Sequence, residues 1–237
     1  MKRFTLALLS ALLLFAPLAA TSTPGAATAA REFPERLNMR YAVRAGDDGF
    51  QLGKAYYTWR RWDGRYRLVS SAEASGLASL FVSGKLVQQS EGLLGRQGLR
   101  PDAYWLERNG QRKDTVRFDW SAQRLRQGGD EAELPAGSQD LLSFPFQLAL
   151  TLDEAAPDAR MWVSNGRKLR EYVFRKQGNE RLRLGKAEVD TLHLRGESAG
   201  EERLDVWLAP SRQWLPLRIR TLDSKGKVML LSLEAIS

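Results

Sequence analysis

The chain reads as mainly β: a strongly curved antiparallel sheet or incomplete β-barrel, with one short central helix over about residues 140–151. Three observations predict this. After Leu37, short segments alternate apolar and polar residues and recur at ~8–12 residues. Asp63-Gly64, Asn109-Gly110 and Asn165-Gly166 separate such segments and are the residue pairs that tight hairpins demand. Leu134–Leu152 is a strongly apolar run without that alternation. Short loops require antiparallel neighbours, and this many strands curl or close rather than stay flat.

The N-terminus stands apart. Lys2 and Arg3 precede the apolar stretch Phe4–Ala16, Pro17 ends it, and small residues follow. That is the pattern of a secretory signal peptide over residues 1–29. Cleavage after Ala20 and after Ala29 both fit, and the apolar core is too short for a lasting membrane span. Residues 30–237 then form a single β-rich domain, expected in the periplasm, because no composition change is sharp enough to divide it.

Leu37, Met39, Tyr41 and Val43 alternate with polar residues as one half-buried strand. Leu52–Trp62 and Tyr66–Ala74 flank the Asp63-Gly64 turn, with Ala55, Tyr57 and Trp59 on one face. Gly76–Gly84 fits a short helix or a bulged strand, and Leu86–Leu93 is the next strand. Gly98-Leu99-Arg100-Pro101 reads as a turn before Ala103–Arg108, and Arg112–Asp119 and Arg124–Gln127 follow. Gly128-Gly129-Asp130 leads toward the helix. Beyond it come Met161–Ser164, Lys168–Lys176, Glu180–Leu184, Val189–Gly196, Leu204–Ala209, Leu215–Asp223 and Lys227–Ala235.

Asp140 is placed to cap a helix starting at Leu141. Pro145 requires either a kink or a helix that begins there, where a first-turn proline is tolerated. A helix apolar on every side must be buried, and the run is too short to cross a membrane.

Composition narrows the chemistry. The 237 residues include no cysteine and one histidine, His193, with a formal net charge of +8. Disulfides, thiolate metal sites and cysteine nucleophiles are excluded, and zinc or histidine acid–base sites are poorly supplied. No cofactor or metal is expected. Basic residues are dispersed and no nucleic-acid motif appears, so the charge reads as a solvated surface.

The order of landmarks resembles a known family. Leu37-x-x-x-Tyr41 leads a strand, Gly53 follows a turn, and Ser90-x-Gly92 precedes Gly98-Leu99-Arg100-Pro101. Phe118-Asp119, Asp140-Leu141-Leu142-Ser143, Trp207-Leu208 and Leu215-Pro216-Leu217-Arg218-Ile219 complete the series. Over most of Leu37–Ile236 the chain is similar to the secreted bacterial family called domain of unknown function 3108. That resemblance implies no activity and no catalytic residue. The architecture is also similar to that of carriers moving lipoproteins or lipids across the periplasm.

Candidate chemistry is sparse. His193, with Asp190 and a serine, would be the makings of a hydrolase triad, but no Gly-x-Ser-x-Gly elbow is present. Asp47/Asp48, Asp130/Glu131/Glu133 and Glu201/Glu202 are carboxylate groups in turn-like stretches, where charge is simply solvated. Arg181/Arg183 and Arg218/Arg220 sit two apart, so each pair shares a strand face and is expected to meet anionic groups or a partner. Among the aromatics read as inward, Tyr41, Tyr57, Trp59, Trp105 and Trp207 are the expected ligand contacts, with Phe81, Trp162 and Trp214 as further members. The expected function is a non-enzymatic periplasmic binding protein holding a lipid or other hydrophobic ligand. The alternative is an envelope structural or interaction protein without a ligand, with a protein partner in place of the lipid.

Overall fold

The fold comes from a computed structural model that describes residues 31–74 and 84–237. The signal-peptide reading, Phe81 and most of Gly76–Gly84 lie outside the described residues. β1 (Arg36–Ala45), β2 (Gln51–Trp62), β3 (Arg65–Ala74) and β4 (Lys85–Gly95) lead outward from the middle of one sheet as antiparallel neighbours. β5 (Gly98–Arg108), β6 (Gln111–Asp119), β7 (Arg124–Gln127) and β8 (Asp130–Glu133) carry it to one edge. The chain then crosses to β9 (Gln139–Asp140) at the opposite edge and enters the helix α1 (Phe144–Thr151). β10 (Asp158–Ser164), β11 (Leu169–Leu184) and β12 (Ala187–Glu197) return inward. β13 (Arg203–Ala209), β14 (Leu215–Leu222) and β15 (Val228–Ile236) complete the return, and β15 pairs with β1.

The protein is therefore mainly β, a large curled sheet that stays open. Residues 134–138 alone link its two edges, a reach of roughly 20 Å at ~3.5 Å per residue. That tether forces the sheet to curl until its edges approach. No β8–β9 ladder forms, and side chains bridge the gap instead. Gln139 Nε2 donates to the Leu99 carbonyl at 2.8 Å, and Ser164 Oγ donates to Gln127 Oε1 at 2.5 Å. Ser90 Oγ donates to Asp140 Oδ2 at 2.6 Å, and Tyr66 completes the chain through its 2.9 Å bond with Ser90.

Local chemistry explains most elements. In β1, Leu37, Met39 and Tyr41 are buried while Arg36, Asn38 and Arg40 are exposed, as period-two alternation requires. The β2–β3 and β5–β6 turns hold both central residues at positive φ, Asp63 at 44° with Gly64 at 68° and Asn109 at 53° with Gly110 at 76°. Those angles match the right-handed strand twist. Close approach fixes Gly53: a Cβ there would lie 2.0 Å from the Glu73 carbonyl oxygen.

α1 fills one end of the curl, with Phe144 to Leu150 all buried. Phe146 stacks on Trp59 at 6.2 Å and meets Phe33 edge-on at 6.1 Å, while Phe144 stacks on Phe174 at 5.9 Å. Gln147 ties the helix to the β4–β5 turn, accepting from Leu99 N–H at 2.6 Å and donating to the Gln97 carbonyl at 2.9 Å. Arg31 donates to the Leu152 carbonyl at 2.9 Å. A cation there complements the negative end of the helix.

Several expectations need correction. The helix starts at Phe144 with Pro145 in its first turn, so there is no kink. Asp140 instead caps the preceding turn, accepting from the Leu142 and Ser143 amides at 2.9 Å each. Gly98–Pro101 belongs to β5, because the turn is the Arg96-Gln97 pair before it. Gly128-Gly129 turns into β8 rather than the helix, and Lys168–Lys176 and Glu180–Leu184 merge across an irregularity into the sixteen-residue β11. The β9–β10 pair is parallel, which a two-residue strand gave no pattern to reveal.

Phe146→Ala is expected to lower the unfolding free energy by about 3–5 kcal/mol, as for other buried aromatics cut to alanine. Urea unfolding checks this, and a loss below about 1 kcal/mol would show that the ring does not anchor the helix.

Candidate functional site

Strand direction gives the curl two ends. The end filled by α1 also carries the Asp63-Gly64 turn, and the other carries Asn109-Gly110 and the loop between β14 and β15. Inward residues change in size between them. Near α1 the rows hold Met39, Tyr57, Leu37, Trp59 and Leu68, paired across β1, β2 and β3. Toward the far end, Val43 faces Gly53 and Gly53 faces Ala74. In the next row, Ala55 faces Ala72 and Ala72 faces Leu86. These small side chains cannot fill the space that aromatics fill at the helix end.

Among the described residues the result is a cavity of about 670 Å³ open at the far end, with apolar walls that include Val43, Leu52, Ala72, Leu86 and Met229. Lys85, Arg108 and Lys227 stand at its mouth with Glu73. Its size and composition fall within the usual range of ligand pockets, about 300–1,000 Å³ and mostly apolar. A second recess of about 440 Å³ at the helix end is walled by charged residues, among them Arg31, Glu32, Arg61 and Arg65. Arg61 lies 3.5 Å from Glu32 and Arg65 lies 3.1 Å from Asp102, so part of that charge is already paired.

Two further clusters are buried but lie outside the cavity walls. At the seam, Asp140 is fully buried. Burial pushes its carboxyl up to about 6, against hydrogen bonds from Ser90 and Ser143. On the outer face of β12–β14, His193 lies between two carboxylates, Nδ1 at 2.9 Å from Glu180 and Nε2 at 2.9 Å from Asp205. The Trp207 indole stacks on the imidazole at 4.0 Å and donates to Glu180 at 2.8 Å. Asp205 also accepts from Arg195 at 2.9 Å and Arg220 at 3.2 Å. Burial pushes the Asp205 carboxyl up, but the His193 and Arg195 hydrogen bonds outweigh it and hold it below the usual range.

The expected site residues separate. Tyr41, Tyr57 and Trp59 point inward but are packed in the core, where Tyr41 donates to the Pro216 carbonyl at 2.8 Å. Trp105 and Trp207 do not point inward. Trp105 alternates with inward Tyr104 and lies under Arg112 at 4.8 Å, and Trp207 alternates with inward Val206 and Leu208. None of the five borders the apolar cavity. Trp162 likewise alternates with buried Met161 and Val163, while Trp214 packs under Arg31 at 4.4 Å.

The arginines do not form one stripe. Arg218 faces Trp207, which faces His193, on the outer side, whereas Arg181 faces Asp190 on the alternate side. Arg181 pairs with Asp190 at 3.0 Å and Arg220 with Asp47 at 2.7 Å; Arg218 covers Trp207 at 5.4 Å and Arg183 is exposed. The Asp190–His193–serine arrangement does not form, because Asp190 faces away and both imidazole nitrogens contact carboxylates. The cavity walls were missed because Ala72, Leu86 and Met229 carry no chemical signature. The alternating small residues Gly53, Ala55, Ala72 and Ala74 were the available signal.

The chain belongs to the family described as "Protein of unknown function (DUF3108)", whose model matches residues 38–232. No curated protein matches. Among solved structures, a β-barrel-like protein of domain of unknown function DUF1849 from Brucella abortus superposes with a TM-score of 0.52 at 10% identity, covering 85% of this chain and 97% of that one. A domain from Vibrio parahaemolyticus, described as an outer membrane lipoprotein-sorting protein domain, aligns with a TM-score of 0.32 at 10% identity, over 85% of this chain and 84% of that one. The first likeness supports the curled-sheet fold.

The two buried carboxylates push stability in opposite directions with pH. Folded Asp140 keeps its proton up to about 6, whereas the unfolded carboxyl releases it near 3.8, so stability falls as pH rises through that window. At ~1.4 kcal/mol per pH unit the fall is about 3 kcal/mol. Asp205 has a folded value below 3.8, so its contribution is present above that pH and lost as pH falls through the folded value. Urea unfolding of Asp140→Asn between pH 4 and pH 6 is expected to lack the wild-type decline; an unchanged decline would assign it to another group. Asp205→Asn is expected to be less stable at pH 7 and to show a shallower acid limb.

Proposed function

We propose that the protein is an exported, non-enzymatic binding protein of the bacterial envelope that holds a hydrophobic ligand in the open end of its curled sheet. The observation that carries this reading is the apolar cavity of about 670 Å³ beside a core otherwise packed with aromatics. A folded chain gains by filling such space, and unfilled apolar space of this kind costs stability. That it persists at one end among the described residues, beside the small residues Gly53, Ala55, Ala72 and Ala74 in register across β2 and β3, supports a binding role. The leader pattern at Lys2–Pro17 supports export. Commitment of His193 to two carboxylates and an indole supports binding over acid–base chemistry.

The envelope-interaction alternative calls for a receptive edge or an apolar patch. Edge strand β8 carries Asp130, Glu131 and Glu133, charges that discourage strand addition. The exposed aromatics Phe50 and Trp62 stand at opposite ends of β2, with Tyr56 between them.

Native mass spectrometry of protein purified from its own cell envelope, followed by organic extraction, tests the reading. We expect an adduct released as a lipid-like molecule, and its loss in an Ala72→Trp variant that retains the wild-type circular dichroism. A bare polypeptide mass from the envelope would overturn it.

A further inference from the structure

The cavity mouth is charged, and its cations are not all spent. Arg108 is the last residue of β5 and pairs in register with Leu86, itself opposite Ala72. Its side chain therefore leaves the sheet on the same face as the apolar lining. Lys227 precedes β15 by one residue and lies two before Met229, another lining residue. Neither Arg108 nor Lys227 has a salt-bridge partner among the described residues. Many arginines elsewhere do, including Arg40, Arg65, Arg67, Arg167 and Arg220. Lys85 lies 3.8 Å from Glu73, and both side chains are more than half exposed, so that pair is weak. Asp223 is occupied within its own turn, accepting from the backbone amides of Lys225 and Lys227 at 2.9 Å each.

We infer that the ligand is an anionic amphiphile with its hydrocarbon chain in the cavity and its carboxylate or phosphate at the mouth beside Arg108 and Lys227. This rests on the cavity reading above and adds the headgroup to it. An acyl chain drawn into the apolar walls leaves its polar end at the rim, where the guanidinium of Arg108 offers a paired-donor fork for carboxylate or phosphate oxygens. Lys227 supplies a second cation, which adapts by rotation. A neutral headgroup would leave both cations without a counter-charge and gain less from the site.

Displacement of Nile red by dodecanoate, dodecyl phosphate and 1-dodecanol tests headgroup and chain separately, with inorganic phosphate to detect an anion site that needs no chain. Wild-type protein is expected to bind one or both anions at least about 10-fold more tightly than the alcohol at low salt, with the advantage shrinking as salt rises. The Arg108→Gln, Lys227→Gln double variant should lose that advantage and keep its affinity for 1-dodecanol, and Arg108→Lys should restore part of it. Ala72→Trp, or Leu86→Trp should the first fail to fold, is expected to weaken all three. Equal affinities for anions and alcohol, unmoved by the charge variants, would overturn the headgroup inference and leave the cavity reading standing. Binding of none of the three by wild type, or full affinity in a folded cavity-filling variant, would overturn the cavity reading itself. Tight binding of inorganic phosphate alone would also overturn the inference, because the chain would then be dispensable.

Discussion

The Asp140 carboxylate stands where the sheet's two edges meet and where the chain turns into its helix. Taking a carboxylate out of water is costly unless hydrogen bonds replace the lost solvation. Here the replacements come from both sides: Ser90 in β4, and the Leu142 and Ser143 amides that lead into α1. Hydrogen bonds to one buried carboxyl, made despite the cost of ionising it there, thus hold the curl together at a place where no backbone ladder closes it. The short link over residues 134–138 brings the edges near, and the side-chain bonds of Gln139 and Ser164 settle their register.

With that closure made, the interior divides by side-chain size. Aromatics from β1, β2 and β3 pack round α1 and fill the interior there, and the helix is buried nearly all round because it is the inner layer of the core. At the other end the same strands offer Val43, Gly53, Ala72 and Ala74, and space remains among the described residues. The cavity is therefore a consequence of where bulk was placed along each strand. The proposed binding role rests on that gradient more than on any polar group.

Charge is organised on separate surfaces. The outer cluster of His193, Asp205, Arg195 and Arg220 pairs its members with one another, so it stiffens β12–β14 instead of presenting a free basic face. At the cavity mouth Arg108 and Lys227 have no salt-bridge partner among the described residues. Dispersed arginines in a sequence can belong to either situation, and only their neighbours tell which.

Much of the fold was legible in the sequence because strand alternation and hairpin turns are local. Leu37–Val43, Asp63-Gly64 and Asn109-Gly110 each declare their conformation within a few residues. The helix was legible because an apolar run without alternation has to be buried, although its first residue was not, since Asp140 serves the turn before it. The site was less legible. Trp105 and Trp207 looked like inward aromatics, but a one-residue shift in register sends a side chain to the other face, and pairing with distant strands sets that register. The sequence by itself determined most of the strands and hairpin turns, the antiparallel pairing of most neighbours, and the poverty of cysteine and histidine. Only the tertiary structure decided which face each aromatic and arginine occupies, that the edges meet at Asp140, and that space remains beside Ala72 and Leu86. Those outcomes depend on contacts between residues far apart in the chain, which local periodicity does not encode.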